Sequence, residues 1–147
     1  MQRTSLRPAL AVVALSAFLF TGAAAFAATQ EYVADLKGSS EVPPNDSKGT
    51  GAVTASYDTV SKKFTYTATY MNLTGPATAA HFHGPAAVGA NAPPVVPVAP
   101  TNLASPIKGE ATLTDAQAAD LAAGKWYFNV HTAAHGPGEI RGQVVKK

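Results

Sequence analysis

Residues 63–73, KFTYTATYMNL, carry the clearest strand pattern in the chain. Aromatic and apolar residues alternate there with threonines, and successive side chains of a β-strand point to opposite faces of its sheet. One face carries four residues: Phe64, Tyr66, Ala68 and Tyr70. We interpret the tyrosines as core residues whose hydroxyls reach the rim, in preference to a ligand-binding role. The alternation predicts a strand of an antiparallel sheet with one buried face.

Shorter runs of the same kind lie on both sides of this strand, separated by glycine, proline, asparagine and aspartate. They predict further strands at residues 31–36, 51–57, 79–84, 107–113, 126–131 and 139–145. One helix is predicted as well, because residues 114–117, Thr-Asp-Ala-Gln, have the spacing of a capping box and Gly124 provides a stop. The pattern as a whole predicts an all-β, antiparallel domain with one short helix.

A proline-rich segment, residues 85–106, interrupts the strand pattern and contains six prolines. Because proline cannot donate a hydrogen bond to a sheet, the segment is predicted to be a long surface loop or an edge segment, not a central strand. Two interpretations of its role stay open, a cover over a site and a rigid insertion without a role, and the second is favoured.

The first 27 residues have the pattern of a secretory signal peptide. Arg3 and Arg7 precede an apolar run that ends at Phe20, and small residues follow up to Ala27. We predict cleavage after Ala27, in preference to an uncleaved membrane anchor, which leaves residues 28–147 as one β domain. We therefore expect a secreted or periplasmic protein that is free of the membrane after cleavage.

The predicted mature domain has no net formal charge. Cleavage removes two of the 11 basic residues and none of the 9 acidic residues, so nine of each remain. A basic face of the kind that binds nucleic acid or anionic lipid is therefore not expected. The chain also has no cysteine, so its stability must come from core packing, hydrogen bonds or a bound ion.

All four histidines of the chain lie in two short patches, His81 and His83 in one and His131 and His135 in the other. His81 and His83 are two residues apart on a predicted strand, so both imidazoles project from the same face, about 7 Å apart. His131 is predicted to face away from the core side of its strand, which makes it a candidate third ligand. His135 is a candidate fourth. The sequence therefore predicts a metal site of His81, His83, His131 and His135.

The donor types limit the identity of the metal. A chain without cysteine cannot form a blue-copper centre or a thiolate zinc site, whereas an all-histidine set suits copper or zinc, with copper ahead in order of affinity. Asn129 and Tyr127, on the same predicted face as His131, are candidates for orienting the ligands. In the competing interpretation the imidazoles are structural and hydrogen-bond to the backbone or to Asn129.

Glu139 and Arg141 are predicted to lie on one face of the last strand. We interpret them as an ion pair or a cross-strand pair at the rim of the sheet, in preference to a substrate-binding role. The sequence shows no general base close to the histidines, and neither a Ser-His-Asp arrangement nor a phosphate-binding loop is indicated. Enzymatic activity is therefore not predicted.

Three separated motifs resemble those of the CHRD (chordin) domain family. They are LKGSSEVPP at residues 36–44, AHFHG at residues 80–84, and NVHT at residues 129–132 followed by GEIRGQ at residues 138–143. The resemblance implies an all-β, immunoglobulin-like β-sandwich or barrel, as in extracellular chordins and secreted bacterial proteins. It also implies that His81, His83 and His131 are recurrent positions, whereas His135 is not. The cysteine-rich repeats that bind growth factors in chordins are absent, so that function is not implied.

These observations predict an exported, non-enzymatic binding protein of the CHRD type that holds one copper or zinc ion through its histidines. A second hypothesis is an extracellular protein-interaction module with structural histidines and an unknown protein partner. A third, a copper enzyme resembling superoxide dismutase, is disfavoured because the chain has too few histidines for a bridged two-metal site.

Overall fold

Eight β-strands and one α-helix form the part of the chain that the computed structural model describes, residues 28–147. The strands are β1 (Thr29–Lys37), β2 (Thr50–Asp58), β3 (Lys63–Met71), β4 (Ala77–His83), β5 (Pro94–Pro97), β6 (Ile107–Thr112), β7 (Trp126–Thr132) and β8 (Ile140–Lys146). The helix, α1, is Asp115–Ala122, and short 3-10 turns are Gly38–Ser40 and Pro100–Asn102. The predicted signal peptide, residues 1–27, lies outside the described residues. Within them, no helix has the length and apolar character needed to cross a membrane.

All eight described strands belong to one antiparallel sheet, in the order β5-β4-β7-β8-β1-β2-β3-β6. The sheet is a nearly closed barrel or sandwich, which confirms the predicted all-β, antiparallel fold with one short helix. Strands β1, β2 and β3 are sequential neighbours, whereas β4 pairs with β7 and β1 pairs with β8. These two long-range pairings place residues that are distant in sequence side by side.

Aromatic side chains fill the interior. Phe64 on β3 packs edge-on against Phe82 on β4 and Trp126 on β7, with ring centroids 5.2 Å and 5.8 Å away. Phe82 also contacts Phe128 on β7, at 4.7 Å. All four rings are fully buried. The alternation in residues 63–73 therefore marks a strand with one buried face, as predicted, since its aromatic face lies in this core.

The helix forms as the capping pattern predicts. Thr114 Oγ1 accepts a hydrogen bond from Gln117 N at 3.2 Å, and Gln117 Oε1 accepts one from Thr114 N at 2.9 Å. Gly124, with φ of 67°, takes the left-handed conformation just after the helix. The helix buries Leu121 completely, which docks it on the barrel.

The proline-rich segment contains an edge strand. β5 lies at one end of the sheet order, pairs with β4, and carries a proline at each end. Because an edge strand leaves one row of backbone groups without a partner, proline is tolerated there. The prediction of an edge segment and not a central strand is therefore confirmed.

A buried carboxylate holds the β7–β8 turn against neighbouring loops. Glu139 is fully buried and accepts hydrogen bonds from Ser47 Oγ at 2.7 Å and Thr132 Oγ1 at 2.6 Å. Thr74 donates two more, from Oγ1 at 2.7 Å and N at 2.8 Å. Burial raises the pKa of Glu139, but these hydrogen bonds outweigh burial and lower the pKa to about 2. The ion pair or cross-strand pair predicted for Glu139 and Arg141 at the rim of the sheet is wrong, since both side chains are buried. Within the described residues no salt bridge joins them, because three hydroxyl groups and Thr74 N already saturate the carboxylate.

We expect Glu139→Gln to lower the free energy of unfolding by about 3 kcal/mol at pH 7, because folding lowers the pKa of this carboxyl to about 2. Stabilisation from a lowered pKa is complete above the unfolded-state pKa and disappears as the pH falls through the folded-state pKa. The difference between wild type and variant should therefore shrink between about pH 5 and about pH 2. Urea unfolding at a series of pH values measures this difference.

Glu31→Gln is the matched control, since Glu31 is an exposed carboxylate of the same barrel. Its substitution should change the free energy of unfolding by less than about 0.5 kcal/mol. Identical unfolding curves for wild type and Glu139→Gln at pH 7 would contradict the assigned role of the buried carboxylate.

Candidate metal centre

The pairing of β4 with β7 places the histidines on the outer face of the sheet. The register pairs are Ala79–His131, His81–Asn129 and His83–Tyr127. Phe82, between His81 and His83, is fully buried in the core, so both histidines must project from the opposite face. The register brings them next to His131.

The three imidazoles form one cluster. Each offers a ring nitrogen, and these nitrogens all lie within 4.8 Å of one another. His81 Nδ1 lies 3.3 Å from His131 Nε2. In the described part of the chain, no other group of three His, Asp or Glu side chains comes as close. The structure therefore brings together the three histidines, His81, His83 and His131, that the sequence placed on two outward faces.

In two of these rings, a backbone carbonyl determines which nitrogen carries the proton. His83 Nδ1 donates to Ala92 O at 2.9 Å, and His131 Nδ1 donates to Gly136 O at 2.8 Å. A carbonyl oxygen only accepts, so each Nδ1 is protonated and, in a neutral ring, each Nε2 carries a lone pair. A second hydrogen bond of this kind is what orients metal-binding histidines.

Two imidazole nitrogens converge at Asn129. Its side-chain oxygen, Oδ1, lies 3.0 Å from His83 Nε2 and 3.0 Å from His131 Nε2. Each contact is a hydrogen bond when Nε2 is protonated, whereas in a neutral ring with the proton on Nδ1 the Nε2 lone pair faces the oxygen. In that neutral state a cation among the three atoms would stabilise the arrangement. Ligand atoms of a tetrahedral site with bonds of about 2.0–2.1 Å are about 3.3 Å apart. The His81–His131 separation of 3.3 Å and the two Asn129 separations of 3.0 Å are close to this value, whereas the three ring nitrogens as a set lie within 4.8 Å of one another.

His135 lies outside this cluster. It belongs to the turn between β7 and β8, where its N donates to Thr132 O at 3.2 Å and its carbonyl accepts from Gly138 N at 3.1 Å. Its backbone is thus committed to the turn. The oxygen that lies beside the clustered histidines is Asn129 Oδ1.

The first half of the proline-rich segment covers the outer face beside His83. Ala92 O accepts hydrogen bonds from His83 Nδ1 and from the Tyr127 hydroxyl, the latter at 3.2 Å. The His83 ring stacks on the Tyr127 ring with centroids 4.7 Å apart, and the Arg141 guanidinium lies 3.4 Å from the Tyr127 centroid. Arg141 also donates to Asn91 Oδ1 at 2.8 Å. This geometry agrees with a cover over a site, the interpretation that the sequence favoured less.

The surroundings favour neutral imidazoles. Burial lowers the pKa of His81, and the neighbouring His131 and His83 lower it further. Burial also lowers the pKa of His83 and outweighs its hydrogen bonds with Ala92 and Asn129. Since a metal ion binds the neutral ring, both shifts keep these nitrogens available near neutral pH.

Glu41 is a buried acidic residue that sequence reasoning did not single out. It follows the Gly38–Ser40 turn, is 5% exposed, and has one oxygen, Oε1, without a hydrogen-bond partner. Burial raises the pKa of Glu41 to about 7, although the Arg141 charge and the Asn129 amide oppose the increase. It packs against Gly138, where a Cβ would overlap the Glu41 carboxylate and crowd Asn129 Nδ2. The available sequence signal was its place in the motif at residues 36–44.

The family model of the CHRD domain matches residues 32–144. The match covers most of the chain and includes the three clustered histidines, Glu41 and Asn129. No curated protein and no solved structure matches the chain.

We expect Gly138→Ala to lower the melting temperature by roughly 5 °C or more, because Gly138 has φ of 142° and its Cβ would overlap Glu41. Backbone strain of this kind costs on the order of 1–3 kcal/mol. Gly136→Ala is the matched control, since no atom lies within 4 Å of the position of its Cβ. Calorimetric scans in which both variants melt like the wild type would contradict the close packing described here.

Proposed function

The chain belongs to the CHRD domain family, and on that premise we propose that it is an exported, non-enzymatic binding protein that holds one copper or zinc ion. Its ligands are ring nitrogens of His81, His83 and His131. Asn129 Oδ1 is the fourth ligand, in place of His135, which was the candidate from the sequence.

One observation carries this proposal, the convergence of three ring nitrogens within 4.8 Å of one another beside Asn129. His83 Nε2 and His131 Nε2 both face Oδ1 at 3.0 Å, while the protons of these rings are held by backbone carbonyls on the far side. The contacts with Ala92 O, Gly136 O and Asn129 are also those that the structural interpretation predicts, so they do not separate the two hypotheses. The support for a bound cation is the convergence of three rings from two distant stretches of the chain.

Copper and zinc are the ions that the donor set favours. It consists of three imidazole nitrogens and one amide oxygen, without a thiolate, and imidazole suits both ions. Copper(II) precedes zinc(II) in the general order of affinity, whereas a tetrahedral arrangement suits zinc better than copper(II). Because the two criteria differ, elemental analysis of the protein from its native compartment identifies the ion.

Export is the second part of the proposal. The basic residues, apolar run and alanine-rich end of residues 1–27 support cleavage after Ala27 and release to the periplasm or medium. The test is the N-terminal sequence of the protein recovered from those compartments. A mature chain that starts at residue 28 is expected, whereas recovery of the intact chain in the membrane fraction would contradict it.

A binding role without catalysis accords with the donor set. Catalytic sites keep a coordination position open, and here an amide oxygen lies beside the three nitrogens. The copper-loaded protein should therefore dismutate superoxide no faster than the variant that lacks the first histidine pair. A rate well above that variant would favour the copper-enzyme hypothesis.

We expect the double variant His81→Ala/His83→Ala to lose bound metal and to melt like the wild-type protein treated with chelator. Two of three nitrogen ligands are removed, so the stabilisation that depends on the ion disappears. The measurements are metal content of untagged protein and melting temperature with and without chelator.

His135→Ala is the matched control, because it removes an imidazole from outside the cluster and should leave one ion per chain. The proposal is overturned if the double variant retains the metal content of the wild type. It is also overturned if wild-type protein contains no metal and melts identically with and without chelator, which is the result that an interaction module with structural histidines predicts.

A further inference from the structure

The side-chain amide of Asn129 has two ends that face two different groups. Oδ1 faces the imidazole nitrogens of His83 and His131, at 3.0 Å from each. Nδ2 faces Glu41, and the two groups meet over Gly138, where a side chain would overlap the carboxylate. The planar amide therefore connects the histidine cluster to a buried carboxylate.

The proposed ligands leave the charge of a bound ion uncompensated. Three imidazoles and an amide are all neutral, so a divalent ion keeps its full charge. Arg141 adds a further positive charge close enough to act on His83. Charges in a protein interior are costly unless an opposite charge or hydrogen bonds offset them. His81 and His131 are only half-buried, so a nearby anion would offset part of this charge and solvent the rest.

Glu41 is the buried carboxylate with unused capacity. The described residues contain two buried carboxylates, Glu41 and Glu139. Hydroxyl and amide groups saturate Glu139, whereas Glu41 Oε1 has no hydrogen-bond partner. The Arg141 charge offsets part of the cost of burying Glu41, but within the described residues it forms no salt bridge with this carboxylate. An incompletely partnered buried carboxylate is stabilised by a further positive charge.

We infer that Glu41 is a positioning residue of the metal site proposed above, acting through Asn129. Its carboxylate attracts the amide Nδ2, which turns Oδ1 towards the histidines and increases the negative charge on that oxygen. It also supplies the negative charge that the neutral ligand set lacks. The inference rests on the proposed metal binding. It adds a residue from a loop that is distant in sequence from both histidine patches.

Glu41→Gln tests the inference, because it keeps the shape of the side chain and removes its charge. Copper(II) and zinc(II) titrations of untagged protein against a competing chelator at neutral pH measure the affinity. We expect a 10- to 100-fold weaker affinity with one ion per chain retained, roughly the effect of losing a group that orients a metal ligand. The metal-free variant should melt at the same temperature as metal-free wild type or higher, since a buried charge is gone.

Two further variants make the result specific. Glu110→Gln removes the same charge from an exposed ion pair with Lys63 on β3, and should bind metal as the wild type does. Glu41→Asp keeps the negative charge and should recover most of the lost affinity.

The outcomes separate this inference from the proposed function. Equal affinities for Glu41→Gln and Glu110→Gln overturn the inference while metal binding itself stands. A metal-free Glu41→Gln protein that melts well below the wild type, with unchanged affinity, shows a merely structural role and also overturns it. Absence of metal binding by wild type and Glu110→Gln alike is instead the failure of the proposed function.

Discussion

The register between β4 and β7 is the constraint on which the candidate site depends. Phe82 lies in the aromatic core, and this contact fixes which face of β4 points outward. Pairing with β7 then sets His81 opposite Asn129. A slip of one residue would send the imidazoles into the core and Phe82 into solvent, because side chains alternate along a strand. The hydrophobic packing of the barrel thus specifies the geometry of a polar cluster on its outer surface.

Two buried carboxylates near the β7–β8 turn have opposite surroundings. Hydrogen bonds from hydroxyl and amide groups stabilise the charged form of Glu139 and hold its pKa at about 2. Glu41 is buried with fewer partners, and its pKa rises to about 7. The first arrangement anchors loops of a chain that has no cysteine, whereas in the second the Arg141 charge and the Asn129 amide offset burial only in part. Asn45 Nδ2, which donates to Gly138 O and Glu139 O at 3.2 Å and 3.1 Å, ties the two regions together.

Sequence reasoning reached the strands and the three clustered histidines because both depend on local alternation. His81 and His83 share a face by their spacing alone, and His131 faces away from the apolar residues of its own strand. It did not reach Glu41, since nothing local distinguishes a loop carboxylate that becomes buried from one that stays in water. The wrong prediction of a Glu139–Arg141 pair has the same cause. Spacing shows that two side chains share a face, but it does not show which partners each of them contacts. Arg141 stacks on Tyr127, and Glu139 accepts hydrogen bonds from hydroxyl groups.

By itself the sequence determined the strand pattern, the capped helix and the outward direction of the histidines, since these follow from contacts between residues near one another in the chain. Only the tertiary structure decided the rest. His81 and His131 are 50 positions apart, and His83 and Asn129 are 46 apart, so their meeting depends on how β4 and β7 pair. The position of the loop over His83 and the burial of Glu41 likewise depend on how segments distant in sequence pack on the sheet. Long-range pairing is selected by the packing of the whole core, and no local pattern of residues encodes it.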